Sequence, residues 1–359
     1  MKQLSNLYPL RFVLALFVIL FHLPEISNTL GLPNFNAWPL FHKGELAVYY
    51  FFSLSGFLIL RLIYLEIRQT GDFRFRAFYK RRIQRLYPLY YLVLLIGILL
   101  YHLVLPLLQI PFPTPYHLMD LLGHYVLLIP NVFKYYHPEL GGILVVMWSI
   151  GIEEQFYLFI PVFLYLFRRR LILSIAVLLS LLLLLLFYWP DFYRYYNYYF
   201  YFLFGGLLAI LAEQKTIRLF QQWWMHVLVY SLCLLSFATN WIQFTNGFLY
   251  HCTNMLLSGC LLTLIADYPV FTIKSRLLTY LGKISYGIYM YHMIVLTGLL
   301  FLVSRSGLWH YMPDSIFIVL LNIILIVLTC LIAHFSYQYF ERIFYQERTL
   351  TSEPHTPRD

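Results

Sequence analysis

The segment Leu7-Tyr-Pro-Leu-Arg-Phe-Val-Leu-Ala-Leu-Phe-Val-Ile-Leu-Phe-His-Leu23 reads as a membrane-spanning helix that carries two polar residues, Arg11 and His22. At 100° per residue, positions eleven apart return to within about 20° of one face and stand about 16 Å apart along the axis. A cation at the bilayer centre costs at least ~2.5 kcal/mol, so this face is expected to look into protein or a cavity. One face of the first helix is therefore expected to be the wall of a reactive site.

Hydrophobic residues make up 61% of the 359 and charged residues only 11%. The apolar residues come in runs of about twenty, the pattern of a polytopic membrane protein. The first run lacks a small-residue cleavage site and reads as a retained helix. Ten spans can be drawn, at 7–23, 45–65, 86–106, 146–167, 171–188, 196–212, 223–241, 248–266, 280–303 and 314–337. With the N-terminus inside, the inner segments hold Lys2, the basic residues from Arg61 to Arg85, Arg168 to Arg170, Lys215, Arg218, Lys274, Arg276, Lys283 and the C-terminal arginines. The outer loops hold only Lys43, Lys134, Arg194 and Arg305. This bias predicts an all-α integral membrane bundle with both termini cytoplasmic. Residues 1–346 form one membrane domain, and 347–359 read as a short cytoplasmic tail.

The net charge of +9 follows the inner segments, and no nucleic-acid partner is expected. Cys233, Cys252, Cys260 and Cys330 show neither disulfide nor metal spacing. His117, His124 and His137 in the Pro-rich outer loop match no ligand pattern, so no metal is expected.

Several constellations could carry chemistry. Arg74-Phe-Arg-Ala-Phe-Tyr-Lys-Arg-Arg-Ile-Gln-Arg-Leu-Tyr-Pro88 enters the third span from the cytoplasm. Arg82 and Arg85 are neighbours on one face if this stretch is helical, with Lys80 and Arg81 close by. Such guanidinium groups suit bidentate contact with phosphate, and equally serve as topogenic charge against anionic headgroups. Ser55 and Gly56, in the aromatic second span, suit close helix packing. In Trp148-Ser-Ile-Gly-Ile-Glu-Glu-Gln-Phe-Tyr157, Glu153 and Glu154 point to different faces, so one could orient His22 as a general base; ordinary interfacial glutamates are the equal alternative. Lys283 falls at the cytoplasmic end of the ninth span and His292 near mid-membrane. Glu341 falls at the inner interface, and His334 reads as a bundle residue.

Arg11 with His22, Phe51-Phe52-x-x-Ser55-Gly56, Arg81-Arg82-x-x-Arg85-x-x-Pro88, the run from Trp148 to Tyr157, Gly282-x-x-Ser285-Tyr286 and Glu341 occur in this order. The set resembles the membrane-bound acyltransferase type 3 family, over essentially the whole membrane domain and in its stand-alone membrane form. One departure is Tyr8, three positions before Arg11, where members often carry an acidic residue.

The resemblance implies an acyl-CoA donor, most often acetyl-CoA, entering from the cytoplasm, and an essential first-helix histidine in the bacterial inner membrane. It makes His22 the catalytic base and Arg11, Arg82 and Arg85 candidates for holding the donor or the structure around it; beside these, Arg81 and Lys283 are expected to contribute to donor binding, and Glu153 or Glu154 is expected to orient His22. The acceptor implied is a saccharide or glycolipid hydroxyl, such as that of an O-antigen, capsule or exopolysaccharide. A secondary transporter is the rival class, because carriers also bury charge in such bundles. Neither repeated halves nor broken helices are plain in the sequence, and a purely structural role leaves Arg11 and His22 unexplained.

Overall fold

The computed structural model describes residues 5–112, 114–138, 141–189, 198–242 and 244–344. The tail expected over 347–359 and Arg194 lie outside the described residues. Among the described residues every regular element is helical. Each of the ten expected segments is helical, with these main helices: α1 (Leu7–Thr29), α2 (Gly44–Thr70), α3 (Phe75–Leu99), then, after the short α4 (Leu118–Val126) and α5 (Pro130–Tyr136), α6 (Met147–Leu166), α7 (Leu171–Tyr188), α8 (Tyr199–Glu213), α9 (Trp223–Ala238), α10 (Gly247–Asp267), and, after the short α11 (Arg276–Lys283), α12 (Ser285–Ser306) and α13 (Asp314–Ser336). Eight of them are long and apolar enough to cross a membrane, while α8 and α9 are shorter apolar helices. The protein is thus a multi-pass, all-α membrane protein.

Three boundaries differ from the sequence expectation, and each matters for the site. Helix α1 continues through Pro24 to Thr29, which places Glu25 one turn beyond His22 on the same helix. Helix α3 begins at Phe75, so the basic segment is helical and Arg82 and Arg85 share a face. The ninth span breaks at Ile284 into α11 and α12. Ser275 caps α11 by accepting from the Leu278 amide at 3.2 Å, and Gly282 lets α11 lie directly on the backbone of Tyr8. Lys283 therefore belongs to a short helix beside the start of α1, with its ammonium 5.4 Å from the Tyr337 ring.

Helix α2 is the centre of the bundle. Of its apolar window 72% is buried, against 22% for the span containing α7, which marks α7 as peripheral. Its closest neighbour is α8: Gly56 sits against the Phe202 carbonyl and Gly205 against the Ser53 carbonyl, so a side chain at either position would strike backbone. Apolar helices gain little from burial in lipid, and small residues that permit close approach are what hold such pairs together. Ser53 adds a hydrogen bond at 2.6 Å to Ser258 on α10. In the C-terminal half of α2, Arg61 donates to both oxygens of Asp267, at 2.8 and 2.9 Å, and also to Glu213, the last residues of α10 and α8. Their meeting at one end fits a chain that alternates direction from span to span.

Outside the spans, Asp120 on α4 pairs with His124 at 3.1 Å and with His137 at 3.5 Å, fastening α4 to the end of α5.

Replacing Gly56 by Ala should destabilise the fold by ~1–3 kcal/mol through overpacking. The check is the thermal unfolding midpoint in detergent, which should fall. At Gly298 on α12 an added methyl group meets nothing within 4 Å, and Gly298→Ala should leave the midpoint unchanged or raise it.

Candidate functional site

Helices α1 and α12 run parallel. Arg11 Nε donates to Ser285 Oγ at 3.2 Å, and the His22 ring centroid lies 5.4 Å from that of His292. Ser285, Tyr289 and His292 recur at helical spacing, so one stripe of α12 faces both polar residues of α1.

A cavity with an empty volume of about 850 Å³, including its open end, lies between α1, α2, α3, α6 and α12. Arg11, Arg82, Arg85 and Glu153 line it, together with Ser55, Ser149, Tyr157, Ser285 and Tyr289. Three arginines against one glutamate leave a positive excess in an otherwise apolar and aromatic space. Such an excess suits an anionic ligand, and guanidinium groups suit phosphate in particular.

Each of these side chains is fixed by its neighbours. Ser55 donates to Glu153, and Glu153 also faces the charges of Arg11 and Arg82. The guanidinium of Arg82 stands between the Phe78 and Tyr157 rings, at 5.6 and 5.5 Å. Its buried Nε has no hydrogen-bond partner among the described residues. Tyr289 donates to the Val146 carbonyl at 3.0 Å and lies 2.7 Å from Ser149 Oγ. Glu341 accepts from Ser336 at 3.1 Å and lies near Arg85. A second space, about 1460 Å³ with its opening to solvent included, shares Leu58 and Arg82 with the first and is lined also by Arg61, Lys215 and Gln221 and by the Arg61 partners Glu213 and Asp267.

The carboxylate on His22 is Glu25. His22 Nδ1 lies 3.0 Å from Glu25 Oε2. An ionised carboxylate only accepts, so the proton sits on Nδ1 and the lone pair on Nε2. This is the arrangement a general base needs. The His22 side chain is 15% exposed and that of Glu25 60%, so the pair lies at the rim of the bundle. Helix α5 covers this end, with Lys134 Nζ 5.1 Å from the Trp148 ring centroid. Burial pushes the Lys134 ammonium below its ordinary value, while Glu45 and Glu25 pull it back up.

Arg11, Arg82, Arg85 and Glu153 thus converge in one cavity. Arg81 is exposed on α3, and neither it nor Lys283 lines that space. The expected pairing of His22 with Glu153 or Glu154 is not formed. Glu153 is on the second turn of α6 at the level of Arg11, where the guanidinium supplies the charge it needs. Glu154 is buried on another face, beside Tyr87, and its Oε1 lacks a partner among the described residues. Ser55 turns out to face the cavity, while Gly56 alone makes the close helix contact. The residue missed was Glu25, although the spacing of His22-Leu-Pro-Glu25 signals an i,i+3 pair once the helix is known to pass Pro24.

Comparison with known proteins shows a match to the acyltransferase domain family over residues 9–334. A provisionally named acetyltransferase of Acidianus two-tailed virus is 27% identical over 71% of this chain and 74% of its own. A provisionally named O-acetyltransferase of Staphylococcus aureus (strain COL) is 26% identical over 97% of this chain, which spans 58% of that relative's length. The peptidoglycan O-acetyltransferase OatA of Listeria monocytogenes is 28% identical over 49% of this chain and 27% of its own. No solved structure matches.

Of the two facing histidines only His22 reaches solvent, since His292 is fully buried. Diethyl pyrocarbonate should therefore acylate His22 and spare His292, as read by peptide mass spectrometry. Glu25→Gln should slow the His22 modification by weakening the basicity of Nε2; equal labelling of the two rings would contradict the burial.

Proposed function

The chain belongs to the acyltransferase domain family, and from that premise we propose that it is a membrane O-acyltransferase moving an acyl group, in the first place acetyl, from acyl-CoA to a saccharide hydroxyl. The observation that carries the reading is the division of labour along α1: a cationic cavity at Arg11 and a carboxylate-oriented imidazole about 16 Å further along the axis. The first suits the phosphates of an acyl-CoA and the second suits deprotonation of a hydroxyl. An extended pantetheine arm has a length of that order.

The donor's nucleotide would occupy the larger space, with its arm passing Arg82 into the inner cavity and its thioester directed past Tyr289 towards His22. Glu25 holds Nδ1–H, so Nε2 takes the proton of the acceptor hydroxyl. The oxygen attacks the thioester carbonyl, the carbon–sulfur bond breaks, and the thiolate recovers the proton from His22. Arg11, Arg82 and Arg85 bind; His22 is the base; Glu25 orients it, in the role first expected of Glu153 or Glu154. No metal enters this scheme.

A phosphate-bearing donor reaches the cavity most readily from the cytoplasm of a bacterial inner membrane, and the acceptor meets His22 from the other side. Peptidoglycan is the acceptor named for the Listeria relative, and an envelope saccharide is the acceptor class we infer here.

The test compares His22→Ala with Arg11→Ala in membranes supplied with acetyl-CoA and a soluble cell-wall glycan fragment, with glycan acetylation followed by mass spectrometry. His22→Ala should lower transfer by about 10²-fold or more while leaving acetyl-CoA binding intact. Arg11→Ala should weaken donor binding or lower the amount of folded protein. Retained transfer by a correctly inserted His22→Ala chain would overturn the assignment of the base, and equal loss of donor binding in both would overturn the division of labour.

A further inference from the structure

The mechanism above leaves one buried group beside its base unused. His292 is fully buried on α12. Its Nδ1 is hydrogen-bonded to the Tyr289 carbonyl, and a carbonyl only accepts, so Nδ1 carries the proton and Nε2 is a bare lone pair. That Nε2 is buried without a hydrogen-bond partner among the described residues. An acceptor buried without a donor is a standing cost to the fold and calls for an explanation. The ring nearest to hand is His22, whose centroid is 5.4 Å away with the planes 31° apart; the Tyr289 ring, on the same helix, follows at 5.6 Å.

In the resting state His22 cannot satisfy this acceptor. Its own Nδ1–H is committed to Glu25 and its Nε2 is also a lone pair, so it has no proton to offer. The situation reverses once His22 has taken a proton. Nε2 then becomes a donor, and the acceptor oxygen it faced has become part of an ester that no longer holds it. A reorientation of the imidazolium would let the new N–H meet the unpartnered lone pair of the adjacent His292 ring.

We propose that His292 is a positioning residue for acyl transfer, its Nε2 accepting a hydrogen bond from the His22 imidazolium between attack on the thioester and reprotonation of the thiolate. The inference rests on the acyl-transfer reading. Atoms balance as before: the hydroxyl proton passes to His22 Nε2, the oxygen–carbon bond forms, the carbon–sulfur bond breaks, and the proton leaves His22 for the thiolate. His292 neither gains nor loses a proton. It holds the proton-carrying base in place, disfavouring its return to the acceptor oxygen and lowering the energy of the charged intermediate.

The experiment compares His292→Phe and His292→Gln with the wild-type chain and His22→Ala in proteoliposomes, using acetyl-CoA and a soluble cell-wall glycan fragment. Release of free thiol and glycan acetylation are both followed. Phe keeps the bulk of the ring but offers no acceptor, whereas the Gln side-chain oxygen reaches the position of Nε2. His292→Phe should lower kcat about 10- to 100-fold, the loss expected for one hydrogen bond to a charged group. KM for acetyl-CoA should stay within about twofold, and His292→Gln should recover most of kcat. If the Phe chain does not fold, His292→Asn serves in its place, because its shorter amide reaches only the position of Nδ1. A folded Phe or Asn variant with wild-type kcat, or Gln as impaired as either, overturns the proposal. A wild-type chain that transfers no acetyl group overturns the functional reading and this inference with it, an outcome distinct from the other two.

Discussion

Arg11 is a cation placed inside a membrane-spanning helix, and the surrounding bundle is arranged to solvate it. Its partners come from three other helices: Ser285 on α12 directly, Glu153 on α6 through its charge, and Ser55 on α2 by fixing Glu153. Leaving a buried charge without its partners costs about 3–5 kcal/mol, so these helices are held together at this level by one electrostatic requirement. The inner cavity is the space left inside that shell. Of the charged residues that line it, three are arginines and one is a glutamate, and that balance gives the cavity its capacity to hold an anion.

The same requirement sets the relation of α1 to α12. Eleven residues separate Arg11 from His22, but only seven separate their partners Ser285 and His292, a difference of about 6 Å at 1.5 Å per residue. A long arginine side chain can make up such a difference by reaching along the helix, as basic side chains do in membranes. A short side chain at position 11 could not satisfy Ser285 while His22 still met His292. The break at Ile284 serves the same end. It lets α11 close on Tyr8 through Gly282 while α12 starts with Ser285 already facing α1.

The helical, membrane-embedded character was legible in the sequence because lipid allows few alternatives: apolar runs of this length have to satisfy their own backbone groups. That the Arg11 face looks into a cavity was also foreshadowed, since a buried cation on a helix face demands a protein neighbour; the grouping of Arg82 and Arg85 with it came from the family resemblance alone. Partner choice was not legible. Glu153 and Glu154 were expected at or just below the outer surface, beside His22, but Glu153 lies with Arg11 in the inner cavity; which group a carboxylate meets depends on the depth and rotation of its helix, and both are set by tertiary packing. Pro24 concealed Glu25 for a related reason. A proline suggests the end of a helix, yet in a membrane bundle neighbouring groups allow the helix to continue, and only the continued helix brings Glu25 back to the His22 face. Tyr8 posed the opposite problem: the missing local acid left Arg11 without an obvious partner, which α6 and α12 supply from far along the chain.

The assignment of Glu25 to His22 and of Glu153 to Arg11 follows from electrostatics as well as geometry. A permanent guanidinium in a low-dielectric interior competes for a nearby carboxylate far better than an uncharged imidazole can, because the attraction exists only between charges and grows as the dielectric falls. A single carboxylate also cannot serve two groups about 16 Å apart. An imidazole at the far end of α1 therefore needs an acid of its own, and the rim is where one can be kept ionised: the Glu25 side chain is 60% exposed, so water bears most of the cost of its charge. A carboxylate so exposed contributes little to stability, but it fixes the tautomer of His22 without adding a second buried charge. Two acids in two dielectrics thus let one helix hold a permanent cation at one end and an oriented imidazole at the other.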